Sequence, residues 1–152
     1  MEGCENRVDY YFYTDVFSGG LIPPDAFDRV IKKAENFIVY FTGGKAAETT
    51  DAAIEKAVKM ACCAVAEQYY VADTARQAAA RSLTTVSTGG EIQSETVGSY
   101  SVTRRSGGDS AKAMLSAATE AKTAAAEAAR QYLSGTGLLY RGGCGRCTHH
   151  TL

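Results

Sequence analysis

Between Phe27 and Phe41 the apolar residues fall at Phe27, Val30, Ile31, Ala34, Phe37, Ile38 and Phe41, the spacing of one helix face. Ile22-Pro23-Pro24 precedes this stripe, and proline is tolerated in a first helical turn. Asp25 and Asp28 complement the positive end of the helix dipole, and Gly43-Gly44 supplies a C-terminal stop. A second helix is predicted from the N-capping pair Thr50-Asp51 to about Arg81. Its stretch Met60–Ala66 carries no charge on any face, so this helix is expected at the centre of the fold, surrounded by protein. A third helix is predicted from Asp109 or Ser110 to about Leu133. Its buried stripe would be Met114, Ala118, Ala121, Ala125, Ala129 and Tyr132, with Lys112, Glu120, Thr123, Glu127 and Arg130 on the opposite face. Ser134-Gly135 ends it.

The segments between these helices read differently. Residues 8–17 are aromatic-rich and end at Ser18-Gly19-Gly20, and their periodicity fits a strand or a short helix equally well. Residues 84–108 exchange alanine for Thr, Ser and Gly. There Glu91–Thr96 and the alternating Ser99–Arg104 flank Val97-Gly98, which predicts a β-hairpin over about 91–104. A lone hairpin is marginal in water, so it would pack on the helices, a neighbouring copy or a partner. After the last helix, Leu138-Leu139-Tyr140-Arg141 lies between glycines in a tail that would need a surface to bind. The expected class is therefore mainly α. It is a small bundle of three main helices with a hairpin before the last one, a domain over 1–135 and an extended C-terminal arm over 136–152.

Composition changes this picture in two ways. Twenty-five of the 152 residues are alanine and none is tryptophan, so the core of a single copy would be thin and assembly would help it. Sixteen Lys+Arg against seventeen Asp+Glu give a formal charge of −1, which does not make nucleic acid or a membrane the default partner. No apolar run approaches the ~20 residues that span a bilayer. The N-terminus has acids where a signal peptide has a basic region and an apolar core. Five cysteines, two of them mid-helix, suit a reducing cytosol better than a disulfide scaffold.

Candidate chemistry is sparse. Cys62 and Cys63 are adjacent on a predicted helix, point ~100° apart and are expected to pack as small hydrophobes. Cys144, Cys147, His149 and His150 have the residue types of a tetrahedral zinc site, and a small zinc-binding or thiol-redox module is the alternative reading. All four fall within seven residues, whereas zinc modules separate their ligand pairs by a dozen or so residues, so a terminus with reduced thiols is the preferred expectation. The five glycine pairs sit at element boundaries and form no phosphate-binding pattern. Both histidines lie within four residues of the end, and no nucleophile–base set can be assembled. Neither an enzyme nor a cofactor is expected.

Three stretches, taken in order, carry a resemblance. Tyr10-Tyr11 with Gly19-Gly20-Leu21-Ile22-Pro23 and the Phe27–Phe41 helix resembles the N-terminal half of head-tail connector (adaptor) proteins of long-tailed bacteriophages. Glu91–Val102 is similar to that family's hairpin, and Tyr132–Gly142 looks like its end-of-helix and tail segment. The order and spacing match over roughly residues 10–142, and the Cys-rich end after Gly143 departs from the pattern. The resemblance implies a virion neck protein, assembled in the host bacterial cytoplasm, that forms a cyclic ring of roughly a dozen copies beneath the portal. Its partners would be the portal protein, a stopper or tail-completion protein, other copies of itself and, non-specifically, DNA in transit, with no membrane. Leu138, Leu139, Tyr140 and Arg141 would form the portal-docking arm. Ile92, Glu95, Val97, Tyr100, Val102 and Arg104 would make the hairpin's contacts with neighbouring subunits or neck proteins.

Overall fold

The computed structural model describes residues 7–88 and 107–141, with side chains over 7–81 and 115–141. A short π-helix, Phe12–Val16, is followed by α1 (Pro24–Phe41), α2 (Lys45–Glu48), α3 (Ala52–Thr88) and α4 (Gly107–Leu133). α3 is the central element, and α1 and α4 both pack against it. Every residue from Ala61 to Ala66 is buried, Cys62 and Cys63 among them, as the uncharged run predicts. α1 contributes Phe27, Val30, Ile31, Ala34 and Ile38 to the core, with Phe37 and Phe41 partly buried against it. On α4, Ala125, Ala129 and Leu133 are buried, while Glu120, Thr123, Glu127 and Arg130 face out.

α1 and α3 run antiparallel. Asp73 of α3 pairs with Arg29 and Lys33 near the start of α1, and Tyr69 meets Phe37 nearer its end, edge to face at 6.1 Å. Pro24 stands at N1 of α1, where its missing N–H costs nothing. At the other end Gly43 takes a left-handed φ of 63°. The Gly44 and Gly43 N–H groups then return to the carbonyls of Val39 (2.8 Å) and Tyr40 (3.1 Å), a Schellman closure. The buried Thr42 hydroxyl donates to the Ile38 carbonyl at 2.9 Å and accepts from the Ala46 N–H at 3.2 Å, which leads the chain directly into α2.

The aromatic-rich N-terminal segment is helical. Its wide turn is closed by the Phe17 N–H on the Phe12 carbonyl at 3.0 Å, and the Asp9 carboxylate caps its start by accepting the Phe12 N–H at 3.0 Å. Tyr13 is fully buried, and its ring lies 5.9, 5.8 and 5.4 Å from those of Tyr10, Phe17 and Phe27. Its hydroxyl accepts the N–H groups of Leu21 (3.0 Å) and Ile22 (3.1 Å) and donates to Glu67 Oε1 (2.9 Å), so both lone pairs and the proton are used. Burial raises the Tyr13 pKa, and the Glu67 carboxylate adds to the rise by holding the proton on the oxygen. A Cβ on Gly19 would lie 2.1 Å from the Tyr13 ring, so only glycine fits there.

The expected class needs correction. The described residues are helix and turn, with no strand among them. The predicted hairpin, 91–104, lies outside the described residues. The helices also take residues assigned to the Ser/Thr/Gly-rich region, since α3 continues past Arg81 to Thr88 and α4 begins at Gly107. β-Branched residues cost a helix only a few tenths of a kcal/mol each, too little by themselves to end it. Of the expected arm, residues 136–139 bend and turn back onto the body, and residues 142–152 lie outside the described residues.

Two stability outcomes follow from this packing. Tyr13→Phe strands the Leu21 and Ile22 N–H groups and should lower the unfolding free energy by about 1–3 kcal/mol in urea melts. Glu35, partly buried, accepts the Val8 N–H at 3.1 Å, and desolvation holds its pKa above the ordinary 4.5 despite that bond and the nearby Arg7 and Lys32 charges. The folded state therefore binds the extra proton, so this group's contribution is full below its ordinary value and declines as pH rises through the raised one. Glu35→Gln should accordingly gain stability relative to the parent as pH rises above the ordinary 4.5. A relative loss over that range would contradict this.

Candidate docking surface at the end of the last helix

The tail is built by its glycines and one threonine. Gly135 (φ 85°) and Gly137 (φ 79°) take left-handed conformations that turn the chain back after Leu133. Between them the Thr136 hydroxyl donates to the Leu133 carbonyl at 2.7 Å and accepts the Leu138 N–H at 3.3 Å. A last turn is closed by the Tyr140 N–H on the Gly137 carbonyl at 3.1 Å. These bonds insert Leu138 into the core at 8% exposure and lay Leu139 against it. The Lys45 ammonium, just after the turn that ends α1, donates to the Tyr140 carbonyl and ties the tail to α2.

Of the four residues expected in a docking arm, Leu138 and Leu139 therefore belong to the body. Tyr140 (72% exposed) and Arg141 stand outside it. The reason is geometric: the glycine turns reverse the chain within six residues of α4, so the leucine pair meets its own core before any partner. The same end of the bundle carries residues that sequence reasoning missed. Tyr40 (79% exposed) and Val39 project from the last turn of α1, and Arg130 of α4 stacks over the Phe41 ring at 5.6 Å. Tyr40 falls outside the buried α1 stripe, an apolar residue on a polar face, and that was a legible signal. Lys45 had no signal, because its partner is a backbone carbonyl 95 residues away.

The remaining candidates divide simply. Ile92, Glu95, Val97, Tyr100, Val102 and Arg104 lie outside the described residues, as do Cys144, Cys147, His149 and His150. Among the described residues no group of His, Cys, Asp or Glu is arranged to hold a metal, and no helix is long and apolar enough to cross a membrane. Burial pushes the Cys63 thiol up to about 12 and raises that of Cys62 as well, with the Glu67 and Glu35 carboxylates adding to the respective shifts. Such thiols are inert packing groups. Comparison of the chain with protein-family models, curated proteins and solved structures returns no match.

Two measurements check this arrangement. Leu138→Ala should cost about 2–3 kcal/mol of stability, whereas Tyr140→Ala should change it by less than about 0.5 kcal/mol. In a variant with Cys4, Cys144 and Cys147 replaced by Ser, a thiol reagent at pH 8 should label the folded protein only as fast as it unfolds. Rapid labelling of either remaining thiol would refute the buried placement of the pair.

Proposed function

We propose that this chain is a head-tail connector of a long-tailed bacteriophage: a structural virion protein, without catalysis, that forms a ring beneath the portal and extends the DNA channel. The observation that carries this reading is the ordered resemblance of three separated stretches over residues 10–142. The shape of the tail supports it. Its root is held in the body by Leu138 and Leu139, while Tyr140 and Arg141, residue types enriched at binding hot spots, are presented to solvent with eleven further residues following. Docking on the portal then falls to Tyr140, Arg141 and that following segment rather than to the leucines. Head-to-tail contacts between copies close into a ring of roughly a dozen subunits, matching the portal above it. The opposite side of the ring receives the stopper or tail-completion protein. The location is the neck of the virion, reached by assembly in the host bacterial cytoplasm.

The test is negative-stain imaging of the chain mixed with the portal protein encoded in the same genome. Because Leu138 is a core residue, the informative variants are a chain ending at Arg141 and Tyr140→Ala/Arg141→Ala, both of which keep the body intact. Rings capping the portals with the full chain, and lost with the double variant, are the expected result. Full-length protein that stays monomeric and never binds the portal would overturn the proposal.

A further inference from the structure

The first two described residues are fastened to two helices at once. Val8 has no exposed surface and lies within the core, although it belongs to no helix. Its N–H donates to Glu35 Oε1 of α1 at 3.1 Å, and the Arg7 N–H adds a second main-chain bond to the same carboxylate. The Arg7 guanidinium donates to the Ala46 carbonyl of α2. These contacts, rather than a helical ladder, therefore fix this end of the chain. The half-buried Glu35 is faced by Arg7 from the N-terminal segment, by Lys32 from its own helix, and by Cys62 and Cys63 from α3. Both thiols stay neutral, the Arg7 guanidinium is engaged by a carbonyl, and Lys32 is exposed to water. Desolvation therefore outweighs the two cations and the main-chain bonds, and the carboxyl titrates above its ordinary 4.5.

We propose that Arg7 and Val8 form a proton-sensitive latch, seated on Glu35 and α2 while Glu35 carries its proton and released from the core as Glu35 ionises. This goes beyond the connector reading and stands without it. The seated Val8 covers the carboxyl, and its departure lets water solvate the charge, which returns the group to its ordinary value. The seated state therefore binds the extra proton. Its advantage is full below the ordinary 4.5 and declines as pH rises through the raised value. The N–H bonds persist on the carbonyl oxygen of the neutral acid, so protonation does not unfasten them. The aromatic cluster bounds the release. Tyr10 keeps its hydroxyl on the Ile22 carbonyl at 3.4 Å, and Tyr13 keeps its three bonds, its own proton being held above the ordinary 10. What opens is residues 7–9, uncovering both the Glu35 carboxylate and the Ala46 carbonyl. Acidity thus decides whether this end of the chain lies on the body.

The experiment is amide hydrogen exchange of the isotope-labelled full chain, read residue by residue by NMR from about pH 5 to 8 and corrected for intrinsic rates. Val8 protection should fall several-fold as pH rises. The Ile22 amide, held by Tyr13, should stay better protected than Val8 throughout, the mark of a local opening. Glu35→Gln should remove the pH dependence at Val8. Arg7→Ala should lower Val8 protection at every pH and move its midpoint upward, because a nearby cation is lost. Val8 protection that is flat or rises with pH, equal protection of the two amides, or an unchanged pH dependence in Glu35→Gln would each overturn the inference. The parent chain alone can return the first two of these outcomes, so the test does not hinge on a variant folding.

Discussion

The hydroxyl of Tyr13 is the point on which the N-terminal segment, residues 8–22, depends. Residues 8–22 have little regular secondary structure, and their position is set by what that oxygen does. It holds the Leu21 and Ile22 N–H groups and gives its proton to Glu67 on α3. A buried oxygen with all three hydrogen-bonding capacities filled is worth more for specificity than for net stability, because every competing arrangement leaves a donor or acceptor unmet. The constraint spreads outward. The ring needs Gly19 beneath it, its neighbours Tyr10, Phe17 and Phe27 pack around it, and Phe17 in turn reaches Tyr132 on α4 at 6.2 Å. One side chain thereby connects the N-terminal segment with all three long helices.

Alanine shapes the remainder. Where α4 lies on α3 the buried side chains are mostly Ala125 and Ala129, with Leu133 at the end, so the two helices can approach closely over a long seam. α3 also outruns α1: fifteen of its residues follow Asp73, while only five residues of α1 precede Arg29. At 1.5 Å per residue the α3–α4 pair extends about 15 Å beyond the start of α1. The molecule is a three-helix body with a two-helix extension.

Much of this was legible in the pattern of the chain. The α1 stripe, the uncharged centre of α3 and the polar face of α4 each state their burial directly, because helical periodicity converts position into orientation without reference to partners. The aromatic segment was undecided between strand and helix, since ring-rich residues suit either, and the burial of Tyr13 with its bond to Glu67 on α3 depends on contacts far along the chain. The hairpin reading rested on local alternation over residues 91–104, which lie outside the described residues, between the end of α3 at Thr88 and the start of α4 at Gly107.

What the sequence by itself determined is the three long helices and which of their faces are apolar, because those follow from 3.6-residue spacing, caps and breakers within a few residues of each position. What only the tertiary structure decided is which apolar residues stay available. Leu138 and Tyr140 stand two apart in one glycine-flanked tail, and nothing local distinguishes them. The reversal at Gly135 and Gly137, and a core left open beside α2, send the leucine inward and leave the tyrosine in water. Burial there is set by contacts between residues far apart in the chain, and local patterning carries no information about them.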